Sequence, residues 1–406
     1  MIKVSRLQSV AGVTNAWLTR CFHPLQIVVH CLRAHRCWKK GHFLERYLNI
    51  TMHSSELASI LVGDHLGQVK KVIIPSGETA IIPNCAAPDK LNPVVSIEPI
   101  HQQHKHIIAK KNGELYIYDS VFNTTEQCQS ANDSLIKALP FAEEEVLLIY
   151  DKQICFESSG DVLKHKRGHI KNAKSHRDRL AIVGEDIPLS IFDLHKKVKI
   201  FEAAPPDKNW LGIQPETYVA GLDFVGSEGH HVATCSKSDS VIRLYDIRQA
   251  IKSNRPAISI SLDQEAFNEH ADAGRFVAID STKDSNHSIV VGSNVGQMIA
   301  IDLRLGVVKP DINKPSKKRK RALKPRGYKI LGGFKGARGA TIKDVKLVRS
   351  PSGDYKVISC CLDRYLRLHN FSRTDRSLDK HIYLKTKPLV CCPILYENIS
   401  APVEKE

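Results

Sequence analysis

The chain has 406 residues, a net charge of +16 from 59 Lys and Arg against 43 Asp and Glu, and 42% hydrophobic residues. It is long enough to bury a large core, and it contains no apolar run of about 18 residues, so neither a membrane span nor a membrane partner is predicted. The eleven cysteines are scattered or adjacent and form no CxxC pair. Such usage is typical of buried thiols in a reducing compartment, and it favours neither a disulfide framework nor a structural metal or cofactor.

The positive charge is concentrated in two segments. Residues 1–51 contain eight Lys or Arg and one acidic residue, and residues 309–329 contain ten and one, whereas the rest of the chain is balanced. The basic character therefore belongs to two separable pieces rather than to the body of the protein.

Residues 1–51 do not share the pattern that follows. They are rich in Arg, poor in acids and without a strand-turn rhythm, which leaves a transit-like segment as one alternative. A zinc site is another, although the spacing of its candidate ligands matches no common finger. Those ligands are Cys21, His23, His30, Cys31, His35, Cys37 and His42. The preferred interpretation is a basic extension that is not part of a propeller, disordered or arising from an upstream start, with Met52 as the first residue of the folded part.

The rest of the chain repeats a unit of short β-type runs separated by turns, most clearly in residues 218–248. That copy contains runs at 219–225, 231–235 and 241–247, with turns rich in Gly, Ser and Asp between them. The third run alternates apolar and polar side chains and contains the pair Tyr245-Asp246. An aromatic-Asp pair at this place is a weak form of the W-D ending of a propeller blade.

A short turn before the predicted closing strand of each unit recurs seven times. The turns are Gly63-Asp64-His65, Lys111-Asn112-Gly113, Asp151-Lys152, Gly184-Glu185-Asp186, Ser238-Asp239, Ser293-Asn294 and Leu362-Asp363. Over residues 52–396 this gives about 49 residues a unit, against roughly 40 to 45 for a WD-type blade. Gly168-His169 ahead of Phe192-Asp193 is the best match to the G-H…W-D pattern. The sequence therefore predicts an all-β fold, a seven-bladed WD40-type β-propeller.

Residues 309–329 form a basic insertion, which the repeat count places between the sixth and seventh units. A run this dense cannot pack in a core, so it predicts an exposed loop that serves as a nuclear localisation signal, an RNA phosphate-binding arm, or both. A solvated loop with no partner is the remaining alternative. The residues predicted to carry this role are Lys317, Lys318, Arg319, Lys320, Arg321, Lys324 and Arg326.

The propeller is predicted to close by pairing strands from both ends of the chain in one blade. Residues 57–74 supply two strands at the beginning, and residues 380–395 supply the two that this opening half-blade lacks. Pairing them would remove the open sheet edges of the ring. Residues 397–406 are left as a C-terminal tail.

The last unit carries a more specific resemblance. Residues 361–369 read CLDRYLRLH, and HIYLK follows at 381–385. Together they resemble the final-blade signature of the nucleolar WD-repeat family of large-ribosomal-subunit assembly factors, the fungal Nsa-one and animal WD repeat protein 74 family. The resemblance covers about residues 52–395. It implies a scaffold in nucleolar pre-60S ribosomal particles, beside other assembly factors and ribosomal RNA, released by an AAA-type ATPase, with no catalytic residues.

Three function classes follow from these features. The favoured one is a non-catalytic scaffold in assembly of the 60S subunit that aids rRNA processing in the nucleus and nucleolus. The alternative is a WD-repeat adaptor of another nuclear complex, such as a ubiquitin ligase. An enzyme is disfavoured because the chain has no G-x-S-x-G, P-loop or H-E-x-x-H string, and no catalytic, cofactor-binding or metal residues are assigned.

Overall fold

The computed structural model describes residues 57–394 except for residues 58, 84, 86, 101–103, 129–133, 142–144, 207, 209–210, 250–253, 262–273, 285–286, 305–326, 337–338 and 351–352. The chain divides into two units, Met1–Ser55 and Glu56–Glu406, and all the described residues lie in the second unit. The predicted extension 1–51 and the tail 397–406 lie outside the described residues. Across the described ranges, no helix has the length and apolar character needed to cross a bilayer.

The described residues form 28 β-strands and one single-turn 3-10 helix, Ile247–Gln249. The strands are β1 Ser59–Asp64, β2 Val69–Ile73, β3 Thr79–Ile81, β4 Val94–Pro99, β5 Lys105–Lys110, β6 Leu115–Asp119, β7 Thr124–Gln127, β8 Lys137–Pro140, β9 Val146–Ile149, β10 Gln153–Phe156, β11 Val162–Lys164, β12 His169–His176, β13 Arg179–Glu185, β14 Ser190–Asp193, β15 Val198–Glu202, β16 Val219–Val225, β17 His231–Ser236, β18 Val241–Asp246, β19 Ile258–Ser261, β20 Phe276–Ser281, β21 Ser288–Ser293, β22 Met298–Asp302, β23 Lys329–Gly333, β24 Ile342–Arg349, β25 Tyr355–Cys361, β26 Tyr365–Phe371, β27 Leu378–Tyr383 and β28 Pro388–Ile394.

The strands form seven antiparallel four-stranded sheets, which are the blades of a propeller. Blade 1 has the order β28-β1-β2-β3, and blades 2 to 7 are β4–β7, β8–β11, β12–β15, β16–β19, β20–β23 and β24–β27. The seven strands β28, β4, β8, β12, β16, β20 and β24 each contact their counterparts in both neighbouring blades, so they form a closed inner ring. The predicted all-β, seven-bladed propeller is confirmed.

Blade 1 combines strands from both ends of the described chain. Three come from the beginning and one from the end, whereas two from each end were predicted. β28 pairs with β1, with Val62 opposite Cys391. Residues 380–395 were expected to give two strands to this blade, and that division is wrong, because β27 pairs with β26 as the outer strand of blade 7. The remaining strand of blade 1 is β3, which directly follows β2. All three of its residues are exposed, so it carries no alternation of apolar and polar side chains that a sequence pattern could reveal.

Blades 2 to 7 also have an outer fourth strand after the third strand. The strand that was expected to close the unit at 218–248 is β18, the third of blade 5, and β19 pairs with it as a fourth strand on the outside. Outer strands are short and largely exposed, so the buried face that gives a strand its sequence signature is nearly absent from them.

The basic insertion lies within a blade and not between two blades. β22 ends at Asp302 and pairs with β23, which begins at Lys329, and both strands belong to blade 6. The sequence analysis placed the insertion between the sixth and seventh units, which was wrong. Because the outer strand β23 was not predicted, blade 6 was taken to end before the insertion. The seven predicted cations, from Lys317 to Arg326, lie outside the described residues.

The core consists of apolar side chains packed between adjacent blades. Val183 and Ile191 of blade 4, for example, share one cluster with Phe224 and Tyr245 of blade 5, and all four are at most 1% exposed. Burying a side chain of this size contributes about 1.5 to 3 kcal/mol. Each blade therefore depends on both neighbours for the burial of its faces.

The Gly168-His169 pair has a structural role at one such contact. His169 Nδ1 lies 2.5 Å from an Asp151 carboxylate oxygen, which links blade 4 to the turn between β9 and β10 in blade 3. Gly168 has φ +67°, and a Cβ there would approach the Glu185 carbonyl oxygen to 2.1 Å. Only glycine fits this position without a shift of the backbone.

Candidate binding surface at the mouth of the central channel

The inner strands enclose a cavity of about 520 Å³ on the propeller axis, lined by residues of all seven blades. Its position follows from the fold, because the inner edge of every blade must face the axis. Among propellers, a concave surface to which all blades contribute is a natural place to bind a partner.

A repeated backbone irregularity shapes one end of this cavity. In six of the seven blades the pairing between the inner strand and its neighbour skips one residue near the beginning of the inner strand. The skipped residues are Leu389, Val95, Lys171, Ala220, Val277 and Lys343 of blades 1, 2, 4, 5, 6 and 7, and all six line the cavity. Such a β-bulge re-aims the side chain of the extra residue. In blade 3, β8 pairs with β9 without a shift.

The charge of the cavity lining is strongly unbalanced. Seven lysines and two carboxylates, those of Glu98 and Asp344, line it. The lysines are Lys111, Lys137, Lys171, Lys174, Lys237, Lys343 and Lys346. Two further carboxylates, those of Asp223 and Asp280, lie each 2.9 Å from Lys174 Nζ. The cavity is therefore cationic although the body of the chain is balanced.

The deeper lysines are neutralised by ion pairs that connect blades. Lys137 of blade 3 lies 2.8 Å from Glu98 of blade 2, and Lys174 of blade 4 bridges Asp223 of blade 5 and Asp280 of blade 6. Burial opposes the ionisation of Glu98, but the ammonium of Lys137 and the more distant lysines outweigh it and lower its pKa to about 2. A buried charge left without its partner would cost several kcal/mol, so these pairs act together as a structural belt.

The lysines at the mouth are not neutralised in this way. Within the described ranges, Lys111 and Lys343 have no carboxylate within 4.0 Å, and both are exposed. Lys237 lies over the Tyr218 ring, with its Nζ 4.9 Å from the ring centroid. Lys171 has acidic neighbours, Glu185 at 3.6 Å and Asp151 at 3.9 Å. Positive charge is therefore available to a partner at this end of the channel.

Sequence reasoning missed this site. The lysines of its mouth, at positions 111, 171, 237 and 343, are separated by tens to more than a hundred positions, and a β-bulge has no reliable residue signature. The one usable signal was the recurrence of Lys beside the short turns, as in Lys111-Asn112 and Lys237-Ser238, and the balanced charge of the body concealed it. The residues that were predicted to bind RNA or an import receptor remain a prediction, since they lie outside the described chain.

Seven four-stranded blades around a channel lined by their inner strands define a β-propeller, the architecture that WD40 repeats build. The chain is 26% identical over 209 residues to WD repeat-containing protein 74 of Bos taurus, covering 51% of this chain and 44% of that protein. It is 26% identical over 215 residues to WD repeat-containing protein 74 of Homo sapiens, covering 52% and 45%. These matches confirm the resemblance found in the sequence, and they span somewhat less than half the length of those relatives. No family model matches the chain.

Solved propellers resemble the chain at the level of fold. The Cps50 (Swd1) β-propeller domain of Myceliophteria thermophila superposes with a TM-score of 0.53 at 10% identity, covering 71% of this chain and 86% of that one. The WD40 β-propeller domain of Doa1 gives a TM-score of 0.51 at 13% identity, covering 73% and 84%. At such low identity the likeness establishes the architecture alone.

Proposed function

We propose that the protein is a non-catalytic scaffold that binds precursors of the large (60S) ribosomal subunit in the nucleolus and aids rRNA processing. The observation that carries the proposal is the similarity to WD repeat-containing protein 74 of cattle and human, together with the final-blade motif at residues 361–369. The partners of this proposal are other assembly factors, ribosomal RNA and an AAA-type ATPase that releases the protein.

The geometry supports a scaffold in two ways. A closed ring of blades offers two faces and a circumference on which several partners can bind at once. The cavity on the axis is lined by lysines, and most of its carboxylates are already paired with them.

Gradient sedimentation tests the proposal directly. A tagged chain expressed in cells from which the endogenous protein is depleted should sediment with particles that contain precursor large-subunit rRNA, and depletion should delay processing of that rRNA. Mature 60S subunits from the same gradient serve as the control, because an assembly factor leaves before maturation ends. Sedimentation apart from precursor particles, with recovery of ubiquitin ligase subunits instead, would favour the adaptor alternative and refute the proposal.

A further inference from the structure

We propose that the channel mouth binds an acidic segment of a partner protein, with one apolar side chain inserted between the bulged residues and its carboxylates on the surrounding lysines. The inference goes beyond the proposed function, since it would hold for a scaffold of any complex. It names the chemistry of one partner and the residues that recognise it.

The four lysines of the mouth lie at one end of the propeller. Lys171 and Lys343 are near the beginnings of the inner strands β12 and β24. Lys111 and Lys237 lie in turns between second and third strands, and their backbone N–H groups donate to the carbonyls of Pro93 (3.0 Å) and Tyr218 (2.7 Å), each just before an inner strand. These hydrogen bonds hold the turn lysines beside the entrance.

The second component of the mouth is apolar. Four of the six bulged residues are Leu389, Val95, Ala220 and Val277, and each is partly exposed toward the cavity. Partly exposed apolar side chains at the entrance, surrounded by cations, form a funnel that suits a single aliphatic or aromatic anchor. Burying such an anchor in a fitted pocket is the usual source of affinity at protein interfaces.

This combination favours an acidic peptide over nucleic acid. A phosphodiester backbone has no apolar group to occupy the funnel, and a cavity of about 520 Å³ cannot admit a duplex. Among the described residues that line it there is no arginine, the side chain with the fork geometry for phosphate. The ammonium groups of lysine, which are mobile point charges, suit carboxylates spread along an extended segment.

Fluorescence anisotropy with a synthetic probe tests the assignment. The probe is a fluorescein-labelled peptide of Glu and Asp residues with one central Leu, titrated with the purified chain at a moderate ionic strength of about 0.1 M. The wild-type protein should bind it, and replacement of the central Leu by Ser should weaken binding at least several-fold. The double variant Lys111→Glu/Lys343→Glu should lose roughly tenfold or more in affinity, because like charges would then face each other.

The matched control makes the same charge change at the other end of the propeller. Lys196, in the turn between β14 and β15, and Lys329, at the start of β23, are both exposed. Lys196→Glu/Lys329→Glu should change the affinity less than about twofold at moderate salt, since its charges lie beyond a Debye length of about 8 to 10 Å from the mouth. All four substitutions are at exposed positions, and circular dichroism checks that the variants are folded.

Three outcomes would overturn the proposal: no binding of the acidic peptide by the wild type, equal binding by the mouth variant and the control variant, or equal binding of the Leu and Ser peptides. Stronger Lys111- and Lys343-dependent binding of a single-stranded oligouridylate of equal charge would assign the mouth to nucleic acid instead. The assay uses purified protein and is independent of sedimentation with ribosomal precursors, so failure of one proposal is distinguishable from failure of the other.

Discussion

Two buried histidines are expected to make the stability of the fold depend on pH. His106 in β5 is 4% exposed and His369 in β26 is 0% exposed. Burial lowers the pKa of each to about 4. His369 Nε2–H donates to the Lys335 carbonyl oxygen at 2.9 Å, and within the described structure its Nδ1 has no hydrogen-bond partner. Protonation at Nδ1 would therefore place an uncompensated charge inside blade 7.

The expected consequence is loss of stability in mild acid. Unfolded histidine binds a proton below about pH 6.5 whereas the folded residue does not until about pH 4, so stability falls as pH drops through this window. At pH 5 each histidine should cost on the order of 2 kcal/mol relative to pH 7. Denaturant unfolding at both pH values, under reducing conditions, measures the loss.

The double variant His106→Gln/His369→Gln provides the comparison. Glutamine cannot titrate, and at position 369 its amide can still donate a hydrogen bond. The variant should lose distinctly less stability than the wild type between pH 7 and pH 5, whatever its absolute stability. Equal losses would mean that neither histidine is the source of the acid sensitivity.

At the scale of the elements, β28 completes the ring. It pairs with β1 and contacts the inner strands β24 and β4 of both neighbouring blades. The Cys391 N–H also donates to an Asp344 carboxylate oxygen at 3.0 Å, which ties β28 to blade 7. Without β28 the strand β1, whose six residues are all buried, would lose its inner partner and expose its edge.

Removal of this strand should unfold the whole propeller rather than one blade. Deletion of residues 388–406 removes four buried side chains and all backbone hydrogen bonds to β1, a loss of the same order as the total stability of about 5 to 15 kcal/mol typical of a folded protein. Deletion of residues 395–406 alone is the control and should leave the melting transition nearly unchanged. A 388–406 deletion that melts like the wild type would contradict a closing role for β28.

At the scale of the whole molecule, charge separates into a folded part and a basic insertion. The repeating region is balanced overall, yet folding brings Lys111 and Lys343 to the channel mouth, where neither has a carboxylate within 4.0 Å among the described residues, and places ion pairs such as Lys137–Glu98 deeper in the ring. The insertion adds ten Lys or Arg in residues 309–329, nine of them in the connection between β22 and β23 and the tenth, Lys329, at the start of β23. Two cationic regions of different character therefore belong to one scaffold.

We expect the insertion to carry nuclear import and attraction to precursor RNA. Replacing Lys317, Lys318, Arg319, Lys320 and Arg321 with Ser should change stability by no more than about 0.5 kcal/mol, because a run of cations this dense is expected from its sequence not to pack in a core. Nuclear enrichment should be lost, and RNA binding should weaken, with the log-log salt slope reduced by roughly 0.7 to 0.9 for each lost phosphate contact.

An unrelated import signal fused to this variant separates the two roles. If the loop contacts RNA, particle association should stay impaired after import is restored. Full recovery of growth and of particle association would mean that the insertion serves only as a nuclear import signal, and the RNA contact would be refuted.

The repeated unit was predictable because its information is local. The alternating side chains of β18 and the turns between β16, β17 and β18 specify strands over a few residues, and seven such turns indicated the blade number. The family resemblance rested on the same strong strands, those of the last blade at residues 361–369. The outer strands β3, β19 and β23 have three to five residues, of which at most one is buried, so their sequence signal was weak, and this led to the errors in blade closure and in the position of the basic insertion.

By itself, the sequence determined the strand pattern, the seven-fold repeat and the separable basic segments, since all three follow from residues close together in the chain. Only the tertiary structure decided that three strands from the beginning of the folded region meet one from its end, and that lysines from distant repeats surround one channel mouth. The physical reason is that strand pairing and closure of the ring depend on through-space contacts between blades. Lys111 and Lys343 are 232 positions apart in the chain and line the same cavity.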